Sequence, residues 1–244
     1  MKTIGIIPAR YGSTRLPGKP LLEIAGKPML YWVYQRTKEI ENIEEIIVAT
    51  DHPKISAICE KYGMPYIMTD SSHQTAANRL WEVSERVRAD FYVQINGDEP
   101  LINVNAISAA VPCTVPQNIE FGTNIVTKIT DTMQLMSPSN IKVVFDSEMR
   151  MRYMSRTPIP YPYKQINYTY YKHVGIIGYN KMMLDFYHNS KPGNLEQVEG
   201  IDTLRFIDYG KELMAVVFDD LHSFSVDTYG DLEQIRRQWD ERSY

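Results

Sequence analysis

Thr3-Ile4-Gly5-Ile6-Ile7-Pro8-Ala9-Arg10-Tyr11-Gly12-Ser13-Thr14-Arg15-Leu16-Pro17-Gly18-Lys19-Pro20 places a short β-rich apolar run directly before a loop of glycines, hydroxyls and cations. A helical pattern follows over 28–40, and the same alternation then repeats. Strand-length runs occur at 45–50, 65–69 and 91–96, separated by helical patterns at 53–62 and 77–88. Strand–helix alternation predicts a parallel sheet covered on both faces, with the loops after the strands gathered at one ligand-binding edge. After about residue 112 the pattern changes. Strands are expected at 121–129, 141–145, 150–156, 173–179 and 213–218, and helices from 180, over 194–209 and over 230–241. The fold class expected is α/β: a Rossmann-like, mostly parallel sheet with helices on both faces. One domain spans 1–244, with a smaller, partly antiparallel insertion in roughly 121–190.

Composition narrows the function classes. The 244 residues are 43% hydrophobic and 23% charged, enough for a sizeable core and too ordered a mixture for a disordered tail. A net charge of −4 offers no global basic field to nucleic acid or anionic membrane. No apolar run reaches the ~18 residues of a membrane span, and the apolar run before Pro8 is too short for a signal peptide. Cys59 and Cys113 form neither a disulfide framework nor a zinc set. The expectation is a cytoplasmic globular protein.

The loop after the first run carries the chemistry. Gly12 and Gly18 permit tight turns, Ser13 and Thr14 add hydroxyls, and Arg10, Arg15 and Lys19 concentrate cations. Such a set suits a polyphosphate, although it is neither a Walker A nor a G-x-G-x-x-G sequence. The plainer alternative is a solvated connection. A second strand ends in Asn96-Gly97-Asp98-Glu99-Pro100 at the same edge. A divalent cation on a triphosphate takes one or two carboxylates, and Asp98 is placed to serve; its competing role is to cap the helix near Val104. Asp227, in Val226-Asp227-Thr228, is either a helix N-cap or a second metal ligand.

These residues resemble the cytidylyltransferases that activate 2-keto-3-deoxy sugar acids, above all the 3-deoxy-manno-octulosonate (Kdo) branch that feeds lipopolysaccharide or capsule synthesis. The resemblance extends to Val48-Ala49-Thr50-Asp51, Ile141-Lys142-Val143-Val144, Arg156-Thr157-Pro158-Ile159-Pro160-Tyr161 and Lys172-His173-Val174-Gly175-Ile176. It implies CTP bound by Pro8, Ala9, Arg10, Gly12, Ser13, Arg15, Lys19, Thr75 and Arg79, with Arg10, Arg15, Lys19 and Asp98 catalytic. It implies Mg²⁺ on Asp98 and Asp227, a sugar acid near Asn96, Arg156, His173, Asp202 and Thr203, and a homodimer built on the insertion. The chain departs from the family pattern at Asn96, at 75–79, at Ile177, and at Asp202-Thr203. Neutral divergence and a different acceptor both account for this. The second predicts poor use of ordinary Kdo.

Overall fold

The computed structural model describes residues 1–12, 16–164, 167–219, 221 and 224–242. Strand β1 (Thr3–Ala9) leads through the glycine loop and a 3-10 turn (Lys19–Leu21) to a ribbon of β2 (Glu23–Ile24) and β3 (Lys27–Pro28). Then follow α1 (Met29–Thr37), β4 (Glu45–Thr50), α2 (Pro53–Tyr62), β5 (Tyr66–Met68), α3 (Ala76–Arg86), β6 (Phe91–Ile95) and α4 (Val104–Ala109). The second half holds β7 (Phe121–Lys128), α5 (Thr132–Met136), β8 (Lys142–Phe145), β9 (Met151–Ser155) and β10 (Tyr171–Tyr179). It closes with α6 (Lys181–Asn189), α7 (Asn194–Glu199), α8 (Leu204–Asp208), β11 (Glu212–Val217) and α9 (Tyr229–Arg242).

The main sheet runs β11-β7-β10-β6-β1-β4-β5, with β8 and β9 attached beside β10. Strands β1, β4, β5 and β6 pair in parallel, as do β7 and β11, while β10 is antiparallel to both β6 and β7. Period-two alternation divides the strand side chains between two cores. Ile7, Val93 and Ile95 face α1, α2 and α4, whereas Ile4, Ile6 and Tyr92 face α3, α6 and α8. Burial on both faces explains why these strands read as continuous apolar runs.

Local chemistry sets the helix ends. His52 Nδ1 accepts from the Lys54 amide at 3.1 Å to start α2, Pro53 takes its first turn, and Gly63 at φ 63° ends it. The helix expected over 194–209 is instead two, α7 and α8, because Gly200 takes φ 62° and terminates α7. The Glu196–Arg205 ion pair, 2.6 Å, then folds α8 back against α7. The insertion also differs from expectation. Its strands β7 and β10 lie inside the main sheet, and β8 and β9 are attached beside β10.

Candidate active site

Because β1, β4 and β6 are parallel, their C-terminal ends open on one edge, and the two acidic and basic loops meet there. Gly18, at φ 67°, closes the first loop by donating its amide to Tyr11 O at 3.1 Å, and Lys19 follows in the 3-10 turn. Lys19 Nζ donates to Asp98 Oδ2 and to Asp227 Oδ1, both at 2.9 Å. Burial pulls the Lys19 pKa down, but the two carboxylates outweigh it and hold the ammonium above its ordinary value. Gly97 lets the second loop lie against the first: a Cβ there would stand 3.3 Å from Pro8 O and 3.2 Å from Ile7 Cγ2. The Val226 amide donates to Asp98 O at 2.9 Å and so brings the third segment in.

Other residues take the capping roles that the two aspartates could have filled. Asn103 caps α4, accepting from the Asn105 and Ala106 amides, so Asp98 is released from that role. Before α9, Thr228 Oγ1 accepts from the Asp231 amide while Asp231 Oδ2 accepts from the Thr228 amide, a reciprocal cap. Asp227 points its Oδ1 to Lys19 instead. Asp98 Oδ1 is buried and has no hydrogen-bond partner among the described residues. A buried carboxylate oxygen of this kind, beside a second carboxylate converging on one cation, fits a Mg²⁺ that takes its other ligands from phosphate and water. Glu99 lies behind it, with Ser225 Oγ donating at 3.2 Å, and burial followed by the Asp98 charge pushes its pKa up to about 7.

The other residues expected to hold nucleotide are distributed unevenly. Pro8 and Ala9 end β1, Arg10 is exposed just beyond it, and a Cβ at Gly12 would meet nothing within 4 Å among the described residues. Ser13 and Arg15 lie outside the described residues. Thr75 caps α3, accepting from the Asn78 amide at 3.3 Å. Arg79 is buried, and its guanidinium donates to Asp51 Oδ2 at 2.6 Å, to Thr69 Oγ1 at 2.7 Å and to His73 O at 3.4 Å. With Asp51 also accepting from the Tyr11 amide, Arg79 braces the loops around this edge of the sheet.

Beside this edge lies a cavity of about 220 Å³ lined by Gln94, His173, Ile177, Tyr187, Asp202 and Thr203 among others. Asn124 Nδ2 donates to Val174 O and Ile176 O, so its Oδ1 is the atom that accepts from His173 Nδ1 at 2.7 Å. The imidazole proton is thereby assigned to Nδ1, and Nε2 keeps its lone pair. Burial pushes the His173 pKa down to about 4, so the ring is neutral at pH 7 and accepts rather than pairs with an anion. Burial, then Glu196, raises the Asp202 pKa, and the charges of Arg205 and Arg10 pull it back.

Arg156 stands beside this cavity, against Gly200 of its lining. Its guanidinium donates to Glu199 O at 2.7 Å, Pro138 O at 2.9 Å and Gly200 O at 3.1 Å, and so holds the cavity's rim. Asn96 also sits behind the wall: its Oδ1 accepts from Gln94 Nε2 at 3.3 Å, and its amide packs on Gly175, where a Cβ would come within 1.8 Å of it. Sequence reasoning missed Gln94, Tyr187 and Glu199. Gln94, a polar side chain within an otherwise apolar strand, was the legible signal. The other two carried none.

The chain matches the Cytidylyltransferase family model over residues 4–216. It is 38% identical to the 3-deoxy-manno-octulosonate cytidylyltransferase of Fusobacterium nucleatum, covering 96% of each chain. Against the Escherichia coli protein of the same name it is 36% identical over 86% of this chain and 85% of the other. Among solved structures, CMP:2-keto-3-deoxy-manno-octonic acid synthetase complexed with CTP superposes with a TM-score of 0.91 at 34% identity, covering 99% of this chain and 100% of that one. The inositol-1-phosphate CTP transferase of T. maritima, at 14% identity and a TM-score of 0.66 over 98% and 96% of the two chains, shares the fold alone. With a parallel-sheet edge where Lys19 gathers Asp98 and Asp227, and with full-length relatives of one activity, the chain belongs to the cytidylyltransferase family, in its 3-deoxy-manno-octulosonate branch.

Proposed function

We propose that the protein transfers CMP from CTP to the anomeric hydroxyl of a 2-keto-3-deoxy sugar acid, Kdo or a close relative. The hydroxyl oxygen attacks the α-phosphorus, the bond to the β-phosphate oxygen breaks, pyrophosphate leaves, and the hydroxyl proton passes to solvent. The observation that carries the reading is the convergence of Lys19, Asp98 and Asp227, with a cavity of about 220 Å³ alongside for an acceptor. Positioning and charge neutralisation account for catalysis of this kind, with little covalent help from protein. Arg10, Arg15 and Lys19 stabilise charge on the departing pyrophosphate. Pro8, Ala9, Gly12, Ser13 and Thr75 line the CTP side, and Arg79 holds it in shape. Asp98 and Asp227 would hold Mg²⁺, which when bound neutralises phosphate oxygens and lowers the pKa of an attacking hydroxyl. On the acceptor side His173 Nε2 takes a hydrogen bond from a sugar hydroxyl, and Asp202 and Thr203 bound the opposite wall.

Ile177, buried in the cavity wall, favours an acceptor with fewer hydroxyls on that face than Kdo carries. The test is pyrophosphate release from CTP and Mg²⁺ with a panel of ulosonic and nonulosonic acids. Release with a sugar acid supports the reading, and none with any acid sinks it. A kcat/KM for Kdo near ~10⁵ M⁻¹s⁻¹, ordinary for enzymes, would make Ile177 a neutral change. Exposed Met133, Met136, Tyr161 and Tyr163 of the stretch between β7 and β10 support a homodimer through that face, which light scattering reads directly. Use of CTP fits a cytoplasmic location.

A further inference from the structure

The Ile141-Lys142-Val143-Val144 stretch has no part in the chemistry above, yet Lys142 is 0% exposed. Its ammonium donates to Ser137 O at 2.9 Å, Asn140 O at 2.8 Å and Arg156 O at 2.5 Å. All three donors are thus engaged with main-chain carbonyls. Burying an ammonium is costly even when it is hydrogen-bonded, and a methionine would fill the same space without that cost. What the charge adds is geometry, since it fixes carbonyls from two separate segments at one point. Arg156 continues the connection. Besides its three carbonyl contacts, its amide donates to Glu199 Oε2 at 3.0 Å, while Ser155 Oγ donates to Glu199 Oε1 at 2.6 Å. The two cations therefore join the 137–140 turn, the end of β9 and the end of α7.

Both outlets of this connection are cavity wall. Beyond Gly200 the chain passes directly into Asp202 and Thr203. On the other side Ile141, the neighbour of Lys142, lines the cavity and accepts from the His173 amide at 2.8 Å. We propose that Lys142 is a positioning residue for acceptor binding, holding the His173 and Asp202–Thr203 walls at their separation through Arg156 and Glu199. This rests on the acceptor reading of the cavity. Lys142 lies outside the cavity lining, and none of its three partners belongs to the edge where Lys19 meets Asp98 and Asp227. Loss of the ammonium therefore acts on one substrate only.

The experiment compares Lys142→Met and Glu199→Gln with the wild type, each folded and assayed with CTP, Mg²⁺ and the best acceptor of the panel. A wall displaced by about an ångström weakens acceptor use by about 10-fold or more. The expected result is that rise in acceptor KM, with the KM for CTP and the kcat at saturating acceptor within about twofold of wild type. Hydrogen exchange should also quicken at the 200–203 amides and stay unchanged in β1. An unchanged acceptor KM overturns the proposal, as do equal rises for acceptor and CTP, which mark general destabilisation. If Lys142→Met does not accumulate as folded protein, Glu199→Gln decides by the same outcomes. A wild type inactive on every acid defeats the functional reading instead, and exchange at 200–203 then still tests the connection, with unchanged rates counting against it.

Discussion

At the scale of single residues, the site works by placing charges and withholding them. Asp98 faces Lys19 through Oδ2 and has its Oδ1 buried without a partner among the described residues. Asp98→Asn keeps the shape and removes the charge, so turnover should fall by at least about 10²-fold with the melting temperature within a few degrees of wild type. Near-wild-type rates for this variant at low Mg²⁺ would end the metal assignment. His173 illustrates withholding. Its ordinary pKa of 6.5 is pushed down to about 4 by burial. As pH falls, the unfolded chain takes up this proton first. The stability is therefore complete above pH 6.5 and is lost between there and pH 4, by roughly 3 kcal/mol at most. Urea unfolding at pH 7 and pH 5 should show a decline in the wild type that is reduced in His173→Gln. Parallel declines would mean that other groups carry it.

Among the elements, the break between α7 and α8 matters most to the site. Gly200 holds φ 62°, and its carbonyl accepts from Arg156 Nη2 at 3.1 Å just before the Asp202–Thr203 wall. A Cβ there meets only Arg156 Nη2 at 4.0 Å, so the difficulty of substitution is the backbone conformation. Gly200→Ala should cost about 1–2 kcal/mol in urea unfolding and raise the acceptor KM while sparing that for CTP. A stability equal to wild type would show that the turn tolerates a side chain. Strand β10 makes the second elemental contribution. It enters antiparallel between β6 and β7 and sets His173 and Ile177 facing the cavity, next to Gln94 of β6.

On the scale of the whole molecule, a third apolar cluster couples the two ends of the chain. Leu16, Ile24 and Met29 pack with Val226, Leu232, Ile235 and Trp239, and the Trp32 and Trp239 rings stand 4.6 Å apart. Arg236 donates to Glu23 O at 2.8 Å across the same joint. Helix α9 thus presses the segment bearing Asp227 onto the loop bearing Lys19. Ile235 is 0% exposed. Ile235→Ala should destabilise by about 2–5 kcal/mol and raise the Mg²⁺ concentration needed for half-maximal rate, although the residue is not in the site. A loss of stability with no change in the Mg²⁺ requirement would separate the C-terminal helix from catalysis.

Alternating apolar runs and helical patterns in the first half were sufficient for the sheet, its edge and the loops that meet there. Those signals are local, and burial on both faces of a parallel sheet leaves them in every strand. For the same reason Lys19 and Asp98 were legible in the loops that follow strands. Only tertiary structure could release Asp98 and Asp227 from capping, because Asn103 and Thr228 had to be seen taking those roles. Arg156 and Arg79 looked like ligand cations, and their carbonyl and carboxylate partners lie far away in sequence. A left-handed glycine between α7 and α8 leaves helical periodicity intact on either side, so the break that shapes the cavity wall was invisible until the backbone was known. The sequence by itself determined which residue types stand at the edge of the sheet; the tertiary structure decided which remained available to a ligand, because a charge's partners are set by packing across the chain.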